Sequence, residues 1–189
     1  MVVKDQITQQ AIILFGEKGF SETSIQDIVD ELGVTKGTFY YYFTSKKQLL
    51  KDIHHEYISG LLERQSRIID NDARTQKEKI IGIIRLLITD IADKGPSARV
   101  FFREMHHLSD DHAKNIKARR EDFRLNVEKV LQTGVRNREF RQGLQVDMIA
   151  FGILGVTNWS YNWFNSDGDV SPEELSKIFA DMILTGIVE

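Results

Sequence analysis

Residues 36–47, KGTFYYYFTSKK, set three tyrosines and two phenylalanines between lysines. Phenol hydroxyls donate hydrogen bonds to phosphate, aromatic rings cover the thymine methyl, and ammonium groups attract phosphate charge. A core would take the rings without the lysines, and a solvated loop the lysines without the rings. The surrounding charge sharpens the contrast. Residues 1–31 hold two lysines against six acids, whereas Gly33 to Lys51 hold four lysines (Lys36, Lys46, Lys47, Lys51) and no acid. The whole chain carries a formal charge of -3, so the positive stripe is local. A stripe of this kind can hold phosphates while the acidic remainder discourages indiscriminate binding.

Other reactive groups are sparse. His54 and His55 are adjacent, and Glu104 with His106 and His107 makes one E-x-x-H. A carboxylate-bridged two-metal bundle needs two such motifs and further glutamates, and no H-E-x-x-H occurs. With no cysteine, neither a disulfide framework nor a thiolate metal site is available. No nucleophile elbow or phosphate loop is present. The expectation is therefore a protein that is not an enzyme, with no catalytic residues, no cofactor and no metal. A helical-bundle metalloenzyme stays as the remote alternative.

The elements that must position these residues read as helical throughout. Only two prolines occur, at 96 and 172, and apolar residues recur at helical spacing. Ile7, Ala11, Leu14 and Phe15 make the first stripe, ended by Gly19. Ile25, Ile28, Val29 and Leu32 make a short second one, ended by Gly33 as the left-handed residue. Thr23 with Gln26 can form the capping box of that second helix, and Ser24 with Asp27 is the competing register. Thr35 caps a third helix through Phe43, and Ser45 with Gln48 opens a fourth to about residue 70. DNDART, residues 70–75, is the break. Further helices are expected over 76–94, 97–107, 110–137, 147–165 and 171–187, the last opened by SPEE. About nine helices in all make an all-α protein.

The second and third helices, joined through Gly33, have the dimensions of a helix-turn-helix. Its second helix enters the major groove while the first braces it. Neighbours on a helix lie about 100° apart, so Phe39 and Phe43 anchor the third helix in a core and Tyr40 and Tyr41 fall on its open side. Gly37 lets backbone approach DNA closely, and Thr38 offers a hydroxyl. Lys46 and Lys47 stand in the first turn of the fourth helix, where the positive dipole end already favours an anion.

The run FGEKGFSETSIQDIVDELGVTKGTFYYYFTSKKQLL resembles the N-terminal DNA-binding domain of the TetR/AcrR family of bacterial repressors. The pattern F-x-x-x-G-F-x-x-T-S-x-x-x-I, then L-G-V-x-x-G-T-x-Y-x-Y-F-x-S-K-x-x-L-L, covers about residues 5–51. One departure is Val29, where the family usually has alanine. The resemblance implies a DNA-binding domain over 1–51 and a ligand-sensing and dimerisation domain over 52–189. It implies contact with operator DNA through Ser24, Lys36, Gly37, Thr38, Tyr40, Tyr41 and Lys46, and Thr35, the cap of the third helix, is a further candidate. Ser24 has a competing role as a cap, and Lys47 as a solvated surface lysine.

In the second domain the final two helices are expected to dimerise, because a palindromic operator demands two-fold symmetry. Gly152 and Gly155 permit close helix approach there, with Phe179, Met182 and Ile183 on the last helix. GVTNWSYNWFNSDGDVSPEEL, residues 155–175, is similar to a segment of TetR-like repressors that respond to acyl-coenzyme A thioesters. Asn162 and Asn165 stand where those proteins commonly carry arginine. A small hydrophobic effector, such as a fatty acyl-CoA, would need an apolar lining and cations for phosphate. The candidates are Phe101, Phe102, Met105, Arg103, Arg120, Asn158, Trp159 and Trp163. Another hydrophobic molecule or drug, with control of efflux or stress genes, is the alternative. The most apolar run, IIGIIRLLITDIA, is 13 residues long and carries Arg85 and Asp90, too short and charged to span a bilayer. The expected setting is the cytoplasm, with no membrane partner.

Overall fold

The computed structural model describes residues 2–187, and among them every regular element is helical. The helices are α1 (Val3–Lys18), α2 (Ile25–Asp30), α3 (Lys36–Tyr42), α4 (Lys46–Ile69), α5 (Gln76–Asp93), α6 (Gly95–Arg103), α7 (Asp110–Arg136), α8 (Val146–Trp159) and α9 (Pro172–Ile187). Two 3₁₀ turns follow α6 and α8, at Glu104–His107 and Ser160–Asn162. No described helix is long and apolar enough to cross a membrane. Packing divides the chain into two compact units, Met1–Ser59 with Lys94–Lys117, and Gly60–Asp93 with Ala118–Glu189.

The first unit is built around α1 to α3 and the start of α4. Ile7, Ala11 and Phe15 of α1 meet Ile28 and Val29 of α2, Phe39 and Phe43 at α3, and Leu49, Leu50 and Ile53 of α4. Val100 of α6 completes this core although it lies far along the chain. Each Ile, Leu, Val or Phe among them, withdrawn from water, stabilises by about 1.5–3 kcal/mol. α1 and α6 touch closely because Gly16 has no side chain: a Cβ there would sit 3.3 Å from the Pro96 carbonyl oxygen. Val29, the departure from the family pattern, is fully buried here.

Caps set the ends. Ser24, not Thr23, caps α2: its hydroxyl accepts from the Asp27 N–H at 3.1 Å, and the Asp27 carboxylate accepts from the Ser24 N–H at 2.6 Å. Thr23 is buried and donates to the Gly19 carbonyl at 2.8 Å, so its hydroxyl is already engaged. That settles the two registers. Gly33 takes φ +64°, the left-handed turn between α2 and α3.

The second unit surrounds α5, whose Ile80, Ile83, Ile84, Leu87 and Ile88 are all buried. Two polar links hold α4 and α7 in register within it. Gln65 donates to the Phe123 carbonyl at 2.9 Å and accepts from Asn126 at 3.0 Å. Ser171 caps α9 through the Glu174 N–H at 3.1 Å, as SPEE predicts.

Two elements differ from expectation. The helix expected over 97–107 is α-helical only to Arg103 and then tightens. The helix expected over 147–165 stops at Trp159, and Trp163 follows the 3₁₀ turn. Trp159 and Trp163 therefore do not share a face at i, i+4 spacing. A 3₁₀ turn advances fewer residues per revolution than an α-helix and shifts the angular position of everything after it.

Candidate nucleic-acid interface

The α2–α3 pair presents a short exposed helix pinned from below. Thr35 caps α3, its hydroxyl accepting from the Thr38 N–H at 3.2 Å and meeting the Thr38 hydroxyl at 3.2 Å. Phe39 is fully buried and Phe43 nearly so, which fixes the rotation of α3 in the core. The opposite strip then points outward. Lys36 and Tyr40 are i, i+4, as are Gly37 and Tyr41, and all four are exposed. Tyr40 retains 56 % exposure and Tyr41 81 %, large values for such rings. Each is steadied by an edge-on neighbour, Tyr40 by Phe39 at 5.6 Å and Tyr41 by Tyr42 at 4.8 Å. Tyr42 itself is half-buried against the core, so it supports Tyr41 from below.

Ser24 is exposed at the start of α2. Its backbone N–H, then its hydroxyl, lower the Asp27 pKa. Capping and exposure are both satisfied at this residue.

Lys46 is placed differently from its neighbours. Its ammonium donates to the Phe20 carbonyl at 2.6 Å and the Thr23 carbonyl at 2.5 Å, and lies 4.2 Å from the Phe20 ring centroid. Burial lowers its pKa against the opposing pull of Asp27 and Glu22. Sequence spacing alone makes it a phosphate contact. In the folded chain it clasps the loop ahead of α2. Lys47 is exposed beside it.

The residues expected to meet an effector divide between the two units. In the first, Phe101 is buried and packs on Tyr57 at 4.7 Å and Phe102 at 5.3 Å, Met105 is half-buried, and Arg103 is exposed. In the second, Arg120 is half-buried and its pKa is lowered by that burial, with the Tyr161 phenol acting the other way. Asn158 is half-buried, whereas Trp159 and Trp163 are 64 % and 53 % exposed. A groove of about 520 Å³ in the second unit, lined by Arg64, Arg74, Glu78, Gly82 and Arg85 among others, has no counterpart in the sequence reading. Its cations come from α4, α5 and the loop between them, and their spacing obeys no single helical period.

Among the residues expected to dimerise, Gly152, Gly155 and Met182 are exposed, and Phe179 and Ile183 are half-buried. A Cβ at either glycine would meet nothing within 4 Å. Met148 and Phe151 of α8 and Ile178 of α9 add exposed apolar surface.

A pinned helix with exposed phenols, preceded by a capped brace helix, defines a DNA-binding helix-turn-helix protein. Residues 7–53 match the family described as bacterial regulatory proteins, tetR family, and residues 73–187 match the tetracyclin repressor-like C-terminal domain. The chain belongs to the TetR family of transcriptional regulators, which are not enzymes. It is 27% identical over 187 residues to the HTH-type transcriptional repressor KstR2 of Mycolicibacterium smegmatis, covering 98% of this chain and 91% of that protein. The fold matches the ketosteroid transcriptional regulator KstR2 of Mycobacterium tuberculosis with a TM-score of 0.92 at 23% identity, over 100% and 96% of the two chains. It also matches AibR, crystallised with isovaleryl coenzyme A and operator DNA, with a TM-score of 0.84 at 23% identity over 95% and 96%.

Proposed function

We propose that the protein is a homodimeric cytoplasmic repressor that leaves a palindromic operator when a small hydrophobic effector binds. The observation that carries this reading is the exposure of Tyr40 and Tyr41 on a helix fixed by Phe39, within an acid-free stretch. Exposed rings beside lysines cost solubility unless a partner covers them. Ser24, Thr35, Lys36, Gly37 and Thr38 complete the surface, and two copies would enter successive major grooves about 34–36 Å apart.

Support for the dimer is the apolar surface of Met148, Phe151, Ile178 and Met182, left open around Gly152 and Gly155. Support for an acyl-CoA effector is narrower. Arg120 is a partly desolvated cation suited to a phosphate, and a protein of the same fold was crystallised with an acyl-CoA. Coupling between effector and operator of about 1–3 kcal/mol is typical, and it is reciprocal.

The test is fluorescence anisotropy of the full-length protein on duplexes from its own upstream segment against random duplex, over a salt series. Specific binding should fall steeply with salt. Tyr41→Ala should weaken it by about 1–3 kcal/mol, roughly five- to 150-fold, with no change in circular dichroism. Equal affinity of wild type and Tyr41→Ala rejects the interface. Loss of operator on adding a fatty acyl-CoA, and not the free fatty acid, identifies the effector class.

A further inference from the structure

The turn after α6 gathers a motif that the helix-turn-helix reading leaves unused. A 3₁₀ turn eclipses residues three apart, so Glu104 and His107 come to one side. The Glu104 Oε2 lies 3.4 Å from the His107 Nε2. Two ligands of a tetrahedral zinc ion, at the usual bond lengths, stand about 3.4 Å apart. His106 joins them: its ring centroid is 3.9 Å from that of His107, and one ligand atom from each of the three residues lies within 4.8 Å of the others. Zinc ligation would draw the widest of these separations in to about 3.4 Å.

Three further features fit a metal rather than a passive ion pair. The His106 Nδ1 is 2.9 Å from the Arg103 carbonyl oxygen, which can only accept. That contact places the ring proton on Nδ1 and leaves the Nε2 lone pair for a ligand, the usual outer support of a metal-bound histidine. Glu104 is 9% exposed and its Oε1 sits over Gly19, 3.8 Å from where a Cβ would be, so the carboxylate is withdrawn from water and calls for a cation. The Ser21 hydroxyl, 3.4 Å from the His107 Nε2, brings a further oxygen to the edge of the cluster.

We propose that Glu104, His106 and His107 form a binding site for one first-row divalent cation of the zinc type, which ties the turn after α6 to the loop ahead of α2. Two imidazoles and one carboxylate with an open fourth position select this class over magnesium or calcium, which take oxygen ligands. The location gives the ion a role. The His107 ring packs 5.0 Å from the Phe20 ring, and the Phe20 carbonyl is one of the two that hold Lys46. Occupancy would therefore stiffen the segment that carries the Ser24 cap, and with it the presentation of α2 and α3. This regulatory consequence rests on the operator-binding reading, whereas the binding site itself does not.

The experiment strips the full-length protein with a chelator and titrates Zn²⁺ in competition with a chromogenic indicator. One ion per chain is expected, with affinity reduced about tenfold or more in His106→Gln and Glu104→Gln. His112→Gln, on α7 outside the cluster, should bind as wild type. Substituted Co²⁺ should show the visible absorption of a four-coordinate centre. If Glu104→Gln does not fold, His106→Gln decides alone, since its side chain is exposed. No ion bound by wild type, or equal affinity in wild type and His106→Gln, overturns the site. Zn²⁺ should also shift operator affinity in wild type and not in His106→Gln. Binding of the ion without that shift overturns the regulatory role and leaves the site, and a failure of operator binding altogether leaves the zinc titration to decide by itself.

Discussion

Lys46→Met separates an internal clasp from a phosphate contact, because the two roles predict opposite results in two assays. Methionine keeps the methylene stem near the Phe20 ring and removes the ammonium. The lost interactions are two charge-assisted bonds to the Phe20 and Thr23 carbonyls and one cation–π contact. Charged hydrogen bonds contribute about 1.5–3 kcal/mol each, and a partly exposed cation–π pair about 0.5–1 kcal/mol. Water can reach the half-buried carbonyls and replace part of this, and removing a partly desolvated charge returns some more. The net loss should be about 2–3 kcal/mol. For a chain of this length each 1 kcal/mol lowers Tm by roughly 2–4 °C, so a fall of about 4–12 °C is expected. The salt slope of operator binding should stay where it was, since a lost phosphate contact would lower it by about 0.9. Thermal melts by circular dichroism and anisotropy over a potassium chloride series provide both numbers. An unchanged Tm together with a slope lower by about one would refute the clasp and restore Lys46 to the DNA surface.

Four further substitutions test the same geometry. Gly37→Ala should melt at the same or a higher temperature, because the new Cβ meets only the Thr35 hydroxyl at 3.4 Å and alanine favours a helix by up to about 1 kcal/mol. Gel shifts should nonetheless show weaker operator binding, and unchanged affinity would rule out close backbone approach. Ser24→Ala should cost about 1 kcal/mol of stability in urea. The Asp27 pKa lies below its ordinary value in the folded chain, so its contribution is full above that ordinary value and lost as pH falls through the lower folded one. Urea melts between pH 5 and pH 2 should therefore be flatter for Asp27→Asn than for wild type. Met182→Glu, at a site 54 % exposed, should change monomer stability by less than about 0.5 kcal/mol yet shift sedimentation from dimer to monomer. A dimer unmoved by this charge would place the interface elsewhere.

Much of the fold was legible because local signals agreed with the global one. The SPEE opening of α9, the Gly33 turn and the Phe39–Phe43 anchor each follow from neighbours within four residues. The failures have a common form. Thr23 and Ser24 both suit a cap, and only the carbonyls of Leu14 and Gly19, brought in by folding, remove Thr23 from the contest. Lys46 looks like its neighbour Lys47 until the loop from Phe20 to Thr23 arrives beneath it. Trp159 and Trp163 have helical spacing, but nothing local announces the 3₁₀ turn between them. Glu104 and His107 come to one side through the tightening of the helix after Arg103, which their spacing does not announce.

The placement of α6 has a consequence for how the polypeptide is made. The core beneath α3 takes Val100, and α1 seats Gly16 on Pro96, so the amino-terminal lobe closes on a segment synthesised well after its own last helix has begun. Translation proceeds at roughly 5–20 residues per second, which leaves the nascent lobe incomplete for about 2–8 s between residues 59 and 100. During that interval the apolar underside of α1 is open on the ribosome. The first compact unit is thus complete only once residues 94–117 have emerged.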